Sequence, residues 1–123
     1  MTQEDKELLL KDLCTRLPYG VKFACNKNIY IAKGIDLIVT DEGDWEYSVT
    51  AKDIAPIEID FIKPYLFPLS SMTNEQEKEW RYTLSSDYQL TYDTVDWCNK
   101  NHFDYRGLIE KGLAIDATGL NVY

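Results

Sequence analysis

The apolar residues follow two different periods in the two halves of the chain. After one opening helix, residues 21–61 alternate between apolar and polar side chains, which is typical of β-strands with one buried face. From residue 73 onward the apolar residues recur at intervals of three and four, which is typical of amphipathic helices. The pattern predicts one α+β domain over residues 1–123. In it, an N-terminal helix precedes a curled antiparallel sheet or small barrel of four to five strands, and two to three C-terminal helices pack on that sheet.

The opening helix is predicted to start after Thr2, a favourable N-cap residue, and to stop at Pro18. Five apolar residues recur on one of its faces at helical spacing and are expected to be buried: Leu9, Leu10, Leu13, Cys14 and Leu17. We therefore interpret Cys14 as a core residue rather than as a nucleophile.

Turn residues divide the strand region. The first strand is predicted by the alternation of Val21, Phe23 and Cys25, and residues 26–28 predict a tight hairpin. Five apolar residues of one parity follow: Ile29, Ile31, Ile35, Leu37 and Val39. They are interrupted at 33–34, which is either a bulge in one bent strand or the tip of a second hairpin. Two more strands are predicted at 45–49 and 57–61.

Residues 61–73, FIKPYLFPLSSMT, join the two halves of the chain. This segment contains seven large apolar side chains and two of the four prolines. Because proline lacks the N–H that a central strand donates, we expect the segment to be buried but irregular. It is predicted to hold the helical half against the sheet.

The C-terminal half is predicted to contain up to three helices. Thr73 and Gln76 form a capping box for the first helix, and Asp93 is expected to cap the second. Asp104 is expected to cap a short last helix that ends at Gly112. The final residues, 117–123, follow no period and are expected to fray.

Composition excludes several classes of protein. The 45% hydrophobic content and nine tyrosines indicate a folded chain. Three cysteines at unrelated spacings favour a reducing compartment over a disulfide framework. The sequence shows neither a signal peptide nor an apolar run long enough to span a membrane. We therefore expect a cytoplasmic protein without membrane contact.

The net charge of −8 is concentrated in the middle of the chain. Residues 41–60 contain seven acidic residues and one basic residue, a net of −6. Direct nucleic-acid binding is not expected, because it needs clustered Lys and Arg. If the two strands of this region pair, four carboxylates share one outer face: Asp44, Glu46, Glu58 and Asp60. That face is either solvated or a binding surface for a basic protein partner.

The solvated interpretation predicts an effect on stability. Like charges that lie opposite each other on a sheet repel, so Glu46→Lys or Glu58→Lys is expected to stabilise the domain by a few tenths of a kcal/mol. The gain should shrink in high salt, because salt screens the repulsion.

Cys98 and His102 form the one pattern with a possible reaction chemistry. They are four residues apart on a predicted helix and could meet as a thiolate–imidazole pair. Because no neighbouring residue supplies an orienting group or an oxyanion hole, we favour a core cysteine beside a partly buried histidine, and no catalytic residue is assigned. No metal site is predicted, since the three cysteines and His102 contain no C-x-x-C pair, and no cofactor is expected.

Three segments resemble a known group of proteins: LPYGVK at 17–22, KPYLFPLSSMT at 63–73 and HFDYRGLIEKGLA at 102–114. The group consists of short uncharacterised proteins of gut anaerobic bacteria and of their phages and mobile elements. Residues 26–60 depart most from it. The resemblance implies a bacterial or phage cytoplasm, and it assigns no functional residue.

Two functions are compatible with the sequence. The first is a non-enzymatic protein-interaction module, which could be an accessory factor of a phage or mobile element. The second is a small Cys/His-dependent hydrolase that uses Cys98 and His102. The sequence leaves the oligomeric state open.

Overall fold

The computed structural model describes residues 1–123 and confirms the predicted α+β class. It has an N-terminal helix, α1 (Gln3–Arg16), and two C-terminal helices, α2 (Asn74–Thr83) and α3 (Tyr92–Lys100). The strands are β1 (Lys22–Cys25), β2 (Asn28–Ile31), β3 (Gly34–Val39), β4 (Trp45–Thr50), β5 (Ile57–Glu58), β6 (Lys63–Pro68), β7 (Phe103–Asp104) and β8 (Ile115–Asp116). None of the three helices has the length and hydropathy needed to cross a bilayer.

The strands form two sheets instead of one curled sheet or barrel. The first sheet has the order β2-β1-β6-β7, with β8 also paired to β6. The second sheet has the order β3-β4-β5 and is antiparallel throughout. Strand β6 runs antiparallel to β1 but parallel to β7 and β8. These parallel pairings arise because the chain passes through helices and turns before it returns to the sheet.

Strand β6 lies at the centre of the first sheet, so the prediction that the proline-containing segment is irregular was wrong. Pro68 is the last residue of the strand, and Pro64 lies opposite Phe23. The Ala32 N–H donates to the Val21 carbonyl, so Val21 and Ala32 form a hydrogen-bonded pair. Every second residue of an antiparallel strand faces the same neighbour, so the N–H and C=O of Phe23 also point toward β2 and away from β6. The pairing with β1 therefore needs no N–H from Pro64.

Strand β6 also binds the C-terminal half of the chain, as expected. The Phe67 N–H donates to the His102 carbonyl, and the Ala117 N–H donates to the Leu66 carbonyl, each at 2.8 Å. The Tyr123 hydroxyl donates to the Tyr65 carbonyl and accepts from the Lys22 N–H. The tail is thus held against the sheet, which corrects the expectation that it frays.

Helix α1 buries a different face from the predicted one. Leu9 and Leu13 are fully buried as expected, but Cys14 is exposed, which corrects its placement in the core. Asp12 and Arg16 are fully buried in its place. The apolar pattern missed this rotation because two ionic side chains complete the buried stripe.

The caps of the C-terminal helices differ in part from the predictions. The Thr73–Gln76 capping box of α2 is confirmed, but α3 is capped by Thr91 rather than by Asp93. Asp104 caps no helix, because its carboxylate accepts the backbone N–H groups of residues 106, 108 and 109 and folds 105–112 into consecutive turns. Gly112 allows the last of these turns through its φ of 74°.

The junction at 33–34 is neither a bulge nor a hairpin tip. The Ala32 N–H donates to Val21 in the first sheet, and the Lys33 N–H donates to Thr50 in the second. The chain therefore passes directly from the edge of one sheet to the edge of the other. As a result, most of the single-parity apolar residues are exposed: Ile29, Ile31, Leu37 and Val39.

Candidate functional site

The four carboxylates that were predicted to share a face lie around one open groove. Strands β4 and β5 pair with Ser48 opposite Glu58, which places Glu46 and Glu58 on neighbouring strands. The β3–β4 turn adds Asp41, Glu42 and Asp44, and Asp60 follows β5. These six carboxylates line a depression of about 550 Å³ together with Lys6, Trp45 and Phe61. We call this depression the acidic groove.

Lys6 of α1 is the one cation of the acidic groove. Its Nζ lies 2.5 Å from Oε2 of Glu46 and 3.2 Å from Oδ2 of Asp60. The hydrogen bond from Lys6 holds the pKa of Glu46 below its usual value, and the hydrogen bond to Glu46 raises the pKa of Lys6. Glu46 is therefore part of an ion pair, and the expectation that its reversal relieves repulsion does not fit this geometry.

The other four carboxylates of the groove have no ion-pair partner: Asp41, Glu42, Asp44 and Glu58. Three of them lie in the β3–β4 turn, which is closed by a hydrogen bond from the Thr40 N–H to the Asp44 carbonyl. This turn is exposed, and Gly43 adopts a φ of 85° there. The groove consequently keeps a net negative charge after Lys6 is counted.

Two exposed aromatic rings flank these carboxylates. Trp45 is 71% exposed and Phe61 is 66% exposed. The sequence predicted that both would lie on the apolar face of a strand, but the predicted strand at 57–61 ends at Glu58, and Phe61 lies in the short 3₁₀ helix Ile59–Phe61. In the structure Trp45 lies at the end of the β3–β4 hairpin, and no other element covers its ring.

Sequence reasoning missed Lys6, Trp45 and Phe61 as groove residues. A signal for Lys6 was present, since it precedes Leu9 by three residues and Leu13 by seven, and so lies on the face of α1 that packs on the sheets. No signal in the sequence distinguishes Trp45 from a buried strand residue, because alternation predicts a face and does not predict whether that face is covered.

Cys98 and His102 do not keep the predicted helical spacing. Helix α3 ends at Lys100, and His102 adopts a φ of 64° beyond its end. The His102 ring stacks on Tyr123 with a centroid distance of 3.6 Å. Cys98 is fully buried in the helix.

The environments of these two residues favour their neutral forms. Burial raises the pKa of the Cys98 thiol to about 11. Burial, with the positive charges of Arg16 and Lys22, lowers the pKa of His102 to about 4. At neutral pH the pair is a thiol and a neutral imidazole, whereas nucleophilic catalysis needs a thiolate.

The remaining chemistry of the chain is limited. Cys14 is exposed on α1 and Cys25 is buried in β1, and no group of three or more His, Cys, Asp or Glu side chains is arranged to hold a metal ion. The acidic groove is thus the site where charge is concentrated beside exposed aromatic rings. In comparisons with known proteins, no family model, no curated protein and no solved structure matches this chain.

Proposed function

We propose that the chain is a non-enzymatic interaction module whose acidic groove binds a basic segment of a protein partner. The resemblance of the sequence to proteins of bacterial phages and mobile elements favours an accessory factor of such an element. The proposal depends mainly on one observation: four carboxylates without ion-pair partners lie beside two exposed aromatic rings.

This combination suits a cationic partner for two physical reasons. Unpaired carboxylates attract a basic segment at long range and speed its association. Exposed Trp and Phe rings bind ammonium or guanidinium groups through cation–π contacts, and Trp is the strongest of the aromatic residues in this respect. Arginine can use both kinds of group, because its planar guanidinium pairs with carboxylates and also stacks on rings. We therefore expect an arginine-rich segment.

The proposal is tested by titrating the protein with an unstructured peptide of alternating Arg and Ser. Calorimetry at low and high salt measures the binding. Trp45→Ala should weaken binding about tenfold, as for an aromatic hot-spot residue, and Asp44→Lys should weaken it further at low salt. Glu110→Lys makes the same charge change at an exposed position outside the groove and should have little effect.

A partner from the native cytoplasm can then be sought by pull-down with the wild type and with Asp44→Lys as bait. Equal binding of the peptide to the wild type and to Asp44→Lys, or no binding at low salt, would rule out the groove as the binding site. A partner that is captured equally by both baits would bind elsewhere on the chain.

The Cys/His hydrolase has no support from the geometry, and thiol reactivity tests it directly. The exposed Cys14 must first be changed to Ser, because it would react with any thiol reagent. In the Cys14→Ser protein, Cys98 should stay unmodified at pH 7 until denaturant is added. Rapid labelling of Cys98 in the native protein would support the hydrolase.

A further inference from the structure

The free edge of β3 presents backbone groups that have no partner in the chain. Strand β3 pairs only with β4, in a register that places Val39 opposite Trp45. The Thr40 N–H donates to the Asp44 carbonyl, and hydrogen-bonded pairs recur at every second residue of an antiparallel strand. The backbone N–H and C=O groups of the even-numbered residues of β3 therefore point toward β4. The N–H and C=O groups of Ile35, Leu37 and Val39 therefore point away from β4, toward the free edge.

The side chains on this edge are apolar and exposed. Leu37 is 53% exposed and Val39 is 56% exposed. Proteins usually protect an edge strand with charges, a proline or a bulge, because an unprotected edge pairs with other chains. Between Gly34 and Val39 the one charged residue is Asp36, and there is no proline. An added strand would satisfy all of these unpaired backbone groups at once.

We propose that the β3 edge binds a second copy of this chain, in an antiparallel pairing with a two-fold axis at Leu37. In this register Leu37 lies opposite the partner's Leu37, and Ile35 lies opposite the partner's Val39. All three outward-facing residues of each strand then form hydrogen-bonded pairs. The two three-stranded sheets become one continuous six-stranded sheet.

Apolar contacts on the sheet surface support this register. Tyr47 is the neighbour of Leu37 on β4, so the row across the dimer reads Tyr47, Leu37, the partner's Leu37 and the partner's Tyr47. A second row runs from Trp45 through Val39 to the partner's Ile35 and the partner's Val49. Cross-strand rows of this kind are what stabilises a sheet, and here they continue through the interface.

Charges at both ends of the strand are also complementary. Extended just beyond the two ends of β3, the two-fold register brings the Lys33 side chain near the partner's Asp41, and this pair occurs twice in the dimer. Asp36 lies opposite the partner's Ile38, whereas an axis at Asp36 would place two carboxylates opposite each other. A self-complementary edge needs no second protein to satisfy it, which is why we assign it to another copy of the chain.

The net charge of −8 on each copy opposes association, and salt should screen this repulsion. Dimerisation should therefore strengthen as salt rises, whereas the binding of a basic segment to the acidic groove should weaken. The two surfaces share Asp41 and Trp45, but the opposite salt dependences allow each proposal to fail without the other.

The test is sedimentation of the full chain over a concentration series at two salt concentrations. The wild type should show a monomer–dimer equilibrium, and Leu37→Pro should be monomeric. Proline at this position removes an N–H that points to the free edge, so the bonds to β4 are kept and the circular dichroism should match the wild type. A wild type that is monomeric throughout, or a dimer unaffected by a folded Leu37→Pro, would overturn the proposal.

A charge exchange tests the register even if Leu37→Pro does not fold. Lys33→Glu and Asp41→Lys should each weaken the dimer, and the double variant should restore it because the opposite charges meet again. Lys111→Glu changes the charge equally at an exposed position far from β3 along the chain and serves as the control. Failure of the double variant to recover dimerisation would show that this register is wrong.

Discussion

Helix α1 takes part in two ionic clusters whose environments differ. Near its C-terminal end, Asp12 and Arg16 are fully buried, with 2.8 Å between Oδ2 and Nε. Near its N-terminal end, Lys6 pairs with Glu46 and Asp60 at the rim of the acidic groove, where all three side chains retain some solvent contact. The comparison shows that burial changes how much the stability of the fold depends on an ion pair. A buried pair cannot lose one member without leaving a bare charge, whereas water or a ligand can replace a member of the groove pair.

The buried cluster joins α1 to the segment that follows α3. Arg16 donates from Nη2 to the Phe103 carbonyl at 2.7 Å, and the Arg106 Nε lies 3.2 Å from Oδ1 of Asp12. The guanidinium carbons of both arginines lie over the Tyr105 ring, at 5.3 and 5.0 Å from its centroid. This cluster therefore fixes the position of the C-terminal half relative to the first helix.

The largest expected effect comes from breaking the buried pair. Asp12→Ala leaves Arg16 as an uncompensated buried charge and should lower the free energy of unfolding by about 3–5 kcal/mol. Urea denaturation measures the loss. The double variant Asp12→Leu/Arg16→Met removes both charges and should be clearly more stable than Asp12→Ala. If the single variant unfolds at the wild-type midpoint, the pair does not stabilise the fold.

A smaller effect is expected from the groove pair. Glu46→Lys removes one of the two carboxylates that pair with Lys6 and adds a like charge beside it, so it should destabilise the domain by about 1 kcal/mol, the upper end for a partly exposed pair. This reverses the stabilisation that the sequence predicted for the same change. Thermal unfolding at low and high salt measures it, and the loss should shrink as salt rises. Stabilisation by Glu46→Lys at low salt would contradict the Lys6 contact.

The pH dependence of stability should report the contribution of the groove pair. Lys6 holds the pKa of Glu46 below its usual value. The pair therefore stabilises the native state above the usual Glu pKa, and this contribution is lost as the pH falls through the lowered native value. Glu46→Gln should cost stability at neutral pH and become neutral in acid, as measured by urea denaturation over the acid range. A cost that persists in acid would show that Glu46 acts through packing.

The smallest effect is expected at Glu58, which lines the same groove without an ion pair. Glu58→Lys should stabilise the domain by a few tenths of a kcal/mol, because it relieves repulsion within the groove. The melting temperature of this variant, compared with that of Glu46→Lys, tests whether Lys6 distinguishes the two carboxylates. Changes of the same sign in both variants would show that it does not.

Local rules predicted much of this protein from sequence. Alternation found β1 to β5, although β5 is shorter than predicted, but it missed β6, β7 and β8. The capping box found the start of α2, and the parity of Glu46 and Glu58 correctly placed them on one face. These features depend on neighbours within a few residues, so the sequence by itself determines them. The α+β class follows from the order of such elements along the chain.

The tertiary structure decided the features that depend on what covers each face. Ile29 and Leu37 follow the same alternation as Phe23, yet they are exposed because no other element covers them. Asp12 and Arg16 have the i,i+4 spacing of a local helical ion pair, but their burial depends on distant residues, such as Phe103, whose carbonyl accepts from Arg16. Lys6 likewise meets Glu46 across 40 residues of chain. Burial, and the pairing of charges that are far apart in sequence, are properties of the packed molecule, because the docking of distant elements decides which groups meet and which are covered.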